Sequence, residues 1–252
     1  MLVHGAWHGG WCWDPVRTPL EAEGHRVFTP TLKGLAERAD ELSAEVSLED
    51  HIEDVLTVIR DNDLSDIVLC GHSYGGMIIT AVADRLKPRI GHIVYLDAAL
   101  PEDGETMVSY GEPRPRAVVE AAEQAMREIA PDGVGMMVFP PALLGVPPDQ
   151  PRHGWVEAKL TPHPLKTWLD PISLANGGPA GLPRTYVHCI DPVLAQTQFG
   201  WLYSQFKDDP EWNAVTLATG HDAMITDPAG VAQILLKAAH APAGSKETEK
   251  KG

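Results

Sequence analysis

Apolar residues follow two rhythms along this chain. Short continuous runs stop abruptly at a glycine or an aspartate. Ile67-Val68-Leu69-Cys70 ends at Gly71, and His92 to Leu96 ends at Asp97. Thr185 to Ile190 and Trp212 to Ala218 are similar, and Met1-Leu2-Val3 opens almost inside such a run. Runs apolar on both faces predict strands of a sheet covered on both sides. Arg26-Val27-Phe28-Thr29 predicts one more short strand. Between the runs the spacing becomes helical. Ser47-Leu48-Glu49-Asp50 starts a helix carrying Ile52, Val55, Leu56 and Ile59 on one face. Met77 to Leu86 predicts a second helix. Asp14-Pro15 predicts N-cap and first position of a helix running toward Gly24, and Asp227-Pro228 caps a last one, Ala229 to about Ala239. Strand and helix in alternation imply a doubly wound, mostly parallel sheet.

The alternation breaks between residues 100 and 183, which hold 14 of the 22 prolines. "FPPALLGVPPDQP" and "TPHPLKTWLDP" cannot form regular sheet, yet they are too apolar for a disordered linker. The segment is expected to be an inserted, mainly helical cap, with a helix around Arg116 to Ile129, roofing a binding site. The core is then 1–99 with 184–240, and the polar end "APAGSKETEKKG", 241–252, is expected to be a disordered tail.

Composition narrows the class. A chain of 252 residues buries a large core without staples. Its net charge of −15 argues against nucleic acid or an anionic membrane as partner. No apolar run approaches the length of a membrane span, and residues 1–13 lack the pattern of a signal peptide. Cys12, Cys70 and Cys189 are odd in number and widely spaced, which fits a reducing, cytoplasmic setting and no disulfide or zinc framework. His4 and His8 have H-x-x-x-H spacing without the intervening glutamate, on a loop, so no metal site is expected there. A small-molecule substrate is the expected partner, and a homo-oligomer is compatible with the sequence.

The chemistry concentrates at Gly71-His72-Ser73-Tyr74-Gly75, a G-x-S-x-G sequence between a strand and a helix. A turn this tight strains the serine backbone and lifts Oγ above the carboxyl ends of the strands, where open α/β sheets bind ligands. Ser73 is the candidate nucleophile. A serine hydroxyl needs a base, and His221, in a loop after a late strand, is the best-placed histidine. His72 is expected to pack beside the turn. The glycine-rich "LVHGAWHGGWCW" supplies a candidate oxyanion hole, with the Ala6 N–H joining that of Tyr74.

"LVHGAWHGGWCW", "GHSYGG", "VYLDAALPEDG" and "GHDAM" resemble the branch of the α/β-hydrolase fold that contains plant methylesterases, plant hydroxynitrile lyases and bacterial esterases. The resemblance implies the α/β-hydrolase fold, no cofactor, and a cap-roofed apolar pocket for esters, amides or carbamates of small acids. Trp7, Trp155, Trp168, Met136 and Phe139 are the candidate pocket residues. The lyases of this branch place threonine where this chain has Gly5 and lysine where it has Asp222, so the resemblance argues against cyanohydrin chemistry.

The catalytic acid departs from the family pattern. Plant members place an aspartate three residues after the cysteine corresponding to Cys189, and that slot is Pro192 here. Asp191 lies one residue earlier, but Asp191-Pro192 reads as a pair opening a helix through Leu194 and Phe199. Asp97 directly follows the His92–Leu96 run, a strand end where haloalkane dehalogenases of the same fold carry their acid. Asp97 is therefore the preferred acid and Asp191 the alternative. The expected activity is serine hydrolysis through an acyl-enzyme. The alternatives are a hydroxynitrile-lyase-type carbon–carbon lyase and a receptor-like hydrolase with slow turnover.

Overall fold

A computed structural model of the chain describes residues 1–195 and 197–240; the expected tail, 241–252, lies outside the described residues. The strands are β1 (Leu2–Val3), β2 (Ile67–His72), β3 (Ile90–Leu96), β4 (Gly135–Met136), β5 (His163–Pro164), β6 (Arg184–Cys189) and β7 (Trp212–Leu217). The helices are α1 (Asp14–Ala22), α2 (Leu48–Asp61), α3 (Gly75–Leu86), α4 (Arg116–Glu128), α5 (His153–Glu157), α6 (Lys166–Leu169), α7 (Phe199–Phe206), α8 (Ala223–Thr226) and α9 (Pro228–His240). Five strands form one parallel sheet in the order β1-β2-β3-β6-β7.

The continuous apolar runs have a direct physical reason. Successive strand residues face opposite sides, and both sides are packed. Leu69, Tyr95 and Tyr186 join the core under α2, α3 and α7. Their neighbours Cys70, Val94 and Val187 join a second core under α1, α8 and α9. A capping box fixes the start of α2: the Ser47 hydroxyl accepts the Asp50 N–H, and the Asp50 carboxylate accepts the Ser47 N–H. Residues 100–183 form no strand of the main sheet. They hold α4, the short antiparallel pair β4–β5, and brief helical turns.

Three local expectations fail. Arg26–Thr29 is not a strand: its neighbour β1 is two residues long, Pro30 has no N–H, and one bond, Leu2 N–H to the Phe28 carbonyl at 2.9 Å, ties it to the sheet. Asp14 is the first residue of α1 and not its cap, because a tight turn over Gly10–Trp13 runs straight into the helix. Asp191-Pro192 opens no helix. Ile190 and Asp191 donate to the Leu217 and Thr219 carbonyls, which carries the chain on past β6, and α7 begins at Phe199. No described helix is long and apolar enough to cross a membrane.

Candidate active site

Ser73 stands between β2 and α3 with φ of 54°. Crowding dictates the glycines around it. A Cβ on Gly71 would lie 2.7 Å from the Gly75 carbonyl oxygen, and one on Gly76 would lie 1.9 Å from that of Ala99. Ser73 itself is tied down: its N–H donates to the Leu96 carbonyl, and its carbonyl accepts the Gly76 and Ala99 N–H groups. The neighbouring structure thus holds a conformation that a non-glycine residue adopts only under strain.

Asp97 and His221 meet although 124 positions separate them. Asp97 directly follows β3, also with positive φ, 42°. His221 lies in the loop between β7 and α8. Its Nδ1 donates to Asp97 Oδ2 at 2.7 Å, and both side chains are buried. The other carboxylate oxygen, Oδ1, accepts from His188 Nδ1 at 2.8 Å and from the Cys189 N–H at 3.1 Å. Burial works against the Asp97 charge, but these hydrogen bonds outweigh it and hold the carboxyl down at about 2. The ring of Phe199 stacks on His221 at 5.3 Å and 8°. Asp191, in contrast, is exposed.

With Nδ1 donating, His221 Nε2 carries the lone pair a general base needs. Ala6, Ser73 and His221 all line one cavity of about 630 Å³. Among the described residues, neither the Ala6 nor the Tyr74 N–H donates to a backbone carbonyl. Helix α3 starts at Gly75 and directs its positive end toward the same region.

Trp7, Phe139 and Trp168 line the cavity, with Trp7 packed edge-on to Phe139 at 4.9 Å. Met136 and Trp155 do not. Met136 is fully buried in β4, paired with His163 in β5, and Trp155 packs edge-on against Trp11 beside the second core. Sequence reasoning missed Met107, Tyr110, Leu144, Val193 and Phe199, which complete the apolar wall. It also missed His188, whose only signal was its place in β6, one residue before Cys189. His72 packs beside the turn, donating from Nε2 to the His221 carbonyl at 3.0 Å.

A sequence model of the alpha/beta hydrolase family matches residues 1–234. The chain belongs to that family. This α/β hydrolase is 38% identical to the carbendazim hydrolyzing esterase of Nocardioides sp. (strain SG-4G), over 93% of this chain and 97% of that protein. It is 26% identical to the pyrethroid hydrolase of Sphingobium wenxiniae over 100% of this chain and 91% of that one, and 24% identical to methylesterase 1 of Arabidopsis thaliana over 82% and 83%. Among solved structures it resembles an extracellular alpha/beta-hydrolase from a Paenibacillus species, with a TM-score of 0.77 at 24% identity, covering 94% of this chain and 97% of that one. These three relatives are named as esterases or hydrolases, and this α/β hydrolase is a hydrolase of that kind.

One cluster of metal-ligating types occurs among the described residues: His72, His221 and Asp222, with donor atoms within 4.8 Å of one another. One ligating atom of each is already engaged, while His72 Nδ1 and Asp222 Oδ1 have no hydrogen-bond partner among the described residues. His221 Nδ1 serves Asp97, His72 Nε2 serves the His221 carbonyl, and Asp222 Oδ2 serves His8. Dialysis of the hydrolase against EDTA is expected to leave its rate unchanged, because attack by a base-activated serine needs no metal. A chelator-sensitive rate restored by zinc is the opposite result.

Proposed function

We propose that this α/β hydrolase is a serine esterase that cleaves small, largely apolar esters, amides or carbamates through an acyl-enzyme. The carrying observation is the buried His221–Asp97 hydrogen bond, which fixes His221 on the wall of the cavity that also holds the strained Ser73. Ser73 Oγ attacks the carbonyl carbon while its proton passes to His221 Nε2. The carbonyl electron pair moves onto oxygen, which the Ala6 and Tyr74 N–H groups stabilise; losing one such donor costs about 3 kcal/mol of transition-state stabilisation. The tetrahedral adduct collapses, the leaving group departs with the proton from His221, and Ser73 is left acylated. Water, deprotonated by His221, then releases the acid or carbamic acid and restores Ser73. Asp97 keeps the His221 ring in the working tautomer and stabilises it when protonated.

The aromatic wall of Trp7, Phe139, Trp168 and Phe199 suits a flat, apolar substrate. The activity in the name of the 38% identical relative favours carbamates among the three bond types. The lyase alternative is disfavoured at both of its marker positions. A Cβ at Gly5 would meet His72 Nδ1 at 2.8 Å and Ser73 Cβ at 2.9 Å, and Asp222 is a carboxylate already paired with His8. Cyanide release from mandelonitrile would favour it nonetheless.

A fluorophosphonate probe tests the reading. The probe is expected to block turnover of a chromogenic short-chain ester, and peptide mapping is expected to find the phosphonyl group on Ser73. An adduct on another residue, or ester turnover that persists after complete labelling, would overturn the proposal. Labelling without any turnover would favour a slow, receptor-like protein.

A further inference from the structure

Asp222 and His8 form a second buried histidine–aspartate pair beside the catalytic one. His8 Nε2 lies 3.1 Å from Asp222 Oδ2, and His8 Nδ1 lies 2.7 Å from the Ala6 carbonyl oxygen. Both partners are oxygen acceptors, so each ring nitrogen donates and His8 is an imidazolium. Burial works against its charge, but the Asp222 carboxylate raises its proton affinity above the ordinary histidine value. Neither side chain is exposed, at 1% and 0%. The proposed mechanism gives neither of them a chemical step, yet both line the cavity.

What the pair joins decides its role. Ala6 is the candidate oxyanion donor, and Asp222 is bonded covalently to the base, His221. Two residues of backbone on one side and one on the other leave little slack. Between Ala6 and His8 stands Trp7, held at φ of 64°. A strained residue persists only where its surroundings over-determine it. Here the Trp7 N–H donates to His163 Nδ1 at 3.3 Å, and the Ala6 carbonyl just before it accepts from His8. The Asp222 end is equally fixed: its N–H donates to the Leu144 carbonyl at 3.0 Å. Sequence spacing had offered His8 only as a poor metal ligand, because its partner is 214 positions away.

We propose that His8 and Asp222 are positioning residues: their hydrogen-bonded pair clamps the oxyanion loop at Ala6 to the loop of the catalytic base, and so sets the distance between oxyanion donor and His221. This rests on the serine-hydrolase reading above. The clamp acts when charge develops on the carbonyl oxygen, so its loss appears in kcat with little change in KM.

The test compares variants of the full chain on the chromogenic ester. Asp222→Ala is expected to lower kcat by roughly 10- to 100-fold, the scale of one misplaced oxyanion donor, with KM within about threefold. Asp222→Asn is expected to recover kcat to within about fivefold of wild type. The amide preserves both hydrogen bonds once His8 is neutral: Nδ1–H still donates to Ala6, and Nε2 accepts from the Asn amide. His8→Ala combined with Asp222→Ala is expected to lose no more than the worse single variant, because either change opens the same clamp. Should Asp222→Ala fail to fold, His8→Leu with Asp222→Leu replaces a buried ion pair by apolar groups of similar size, a change cores often tolerate. That double variant is expected to keep its melting temperature near wild type and still lose kcat. Normal kcat in Asp222→Ala or in the leucine pair, an Asp222→Asn as poor as Asp222→Ala, a loss carried by KM, or additive single effects would each overturn the clamp. Wild-type turnover with a Ser73 adduct in the same experiments keeps such a failure separate from failure of the hydrolase reading.

Discussion

Replacing Asp97 by asparagine is expected to lower kcat by up to about 10⁴-fold while the protein folds normally. The geometry says why the amide is worse than a merely weaker acceptor. Asp97 Oδ1 receives the Cys189 N–H, a donor with no alternative role, and Oδ2 receives His221 Nδ1. An asparagine must point its carbonyl oxygen at Cys189, which turns its NH₂ toward His221. That NH₂ donates to Nδ1, so the proton of His221 moves to Nε2. Nε2, the atom that accepts the Ser73 proton in the proposed mechanism, then has no lone pair to do so. KM is expected to change little, because Asp97 does not face the substrate cavity. Asp191→Asn is the companion measurement. Asp191 is exposed, and its one backbone tie, its N–H to the Thr219 carbonyl, survives the change. Its kcat is expected to stay near wild type. A large loss at Asp191 with a near-normal Asp97 variant would move the acid back to the end of β6.

The contrast between these two aspartates marks what the sequence made legible. Ser73 was visible because its signal is local: a strand, a glycine-fenced turn and a helix in one stretch. Asp97 was visible as a carboxylate ending a buried strand. What the sequence hid was pairing across distance. His188 reaches Asp97 only because β6 lies beside β3 in the sheet. His8 reaches Asp222 only because the loop after β1 and the loop after β7 converge on one cavity. The core strands were legible for a related reason. A strand buried on both faces must be apolar throughout, so its composition marks it without any knowledge of its neighbours. Residues 100–183 have no such rule. Their prolines excluded regular sheet but not which aromatic residue turns toward the cavity. Met136 and Trp168 looked equivalent in sequence, yet one is core and the other cavity wall.

Lowering the pH from 7 to 5 is expected to destabilise the fold steeply, through four histidines that burial holds neutral. His4 Nδ1 donates to the Gly5 carbonyl, and its Nε2 accepts the Leu32 N–H. His163 Nε2 donates to Thr167, and its Nδ1 accepts the Trp7 N–H. His51 donates to the Lys33 carbonyl and accepts from the Tyr74 hydroxyl, and His72 donates to the His221 carbonyl. Burial lowers all four, His4 and His72 to about 3, His51 to about 4 and His163 well below the ordinary value. In the unfolded chain each titrates near the ordinary histidine value of about 6.5. Between that value and their folded values the unfolded state binds more protons, so stability falls as pH falls. Each such proton weakens folding up to roughly tenfold per pH unit, and four together up to roughly 10⁴-fold. The opposing groups do not compensate in this window. His8, raised by Asp222, contributes fully below the unfolded value and loses its contribution only as pH rises through its folded one. Asp97 and Asp222, both lowered, contribute above the unfolded carboxylate value and lose it only at still lower pH. Guanidinium unfolding at pH 7, 6 and 5 measures the slope, and a flat denaturation midpoint across that range is the contrary result. His163→Gln supplies the control. Its amide oxygen can take the Trp7 N–H without a proton to gain, so the variant is expected to unfold with a slope shallower by about one proton.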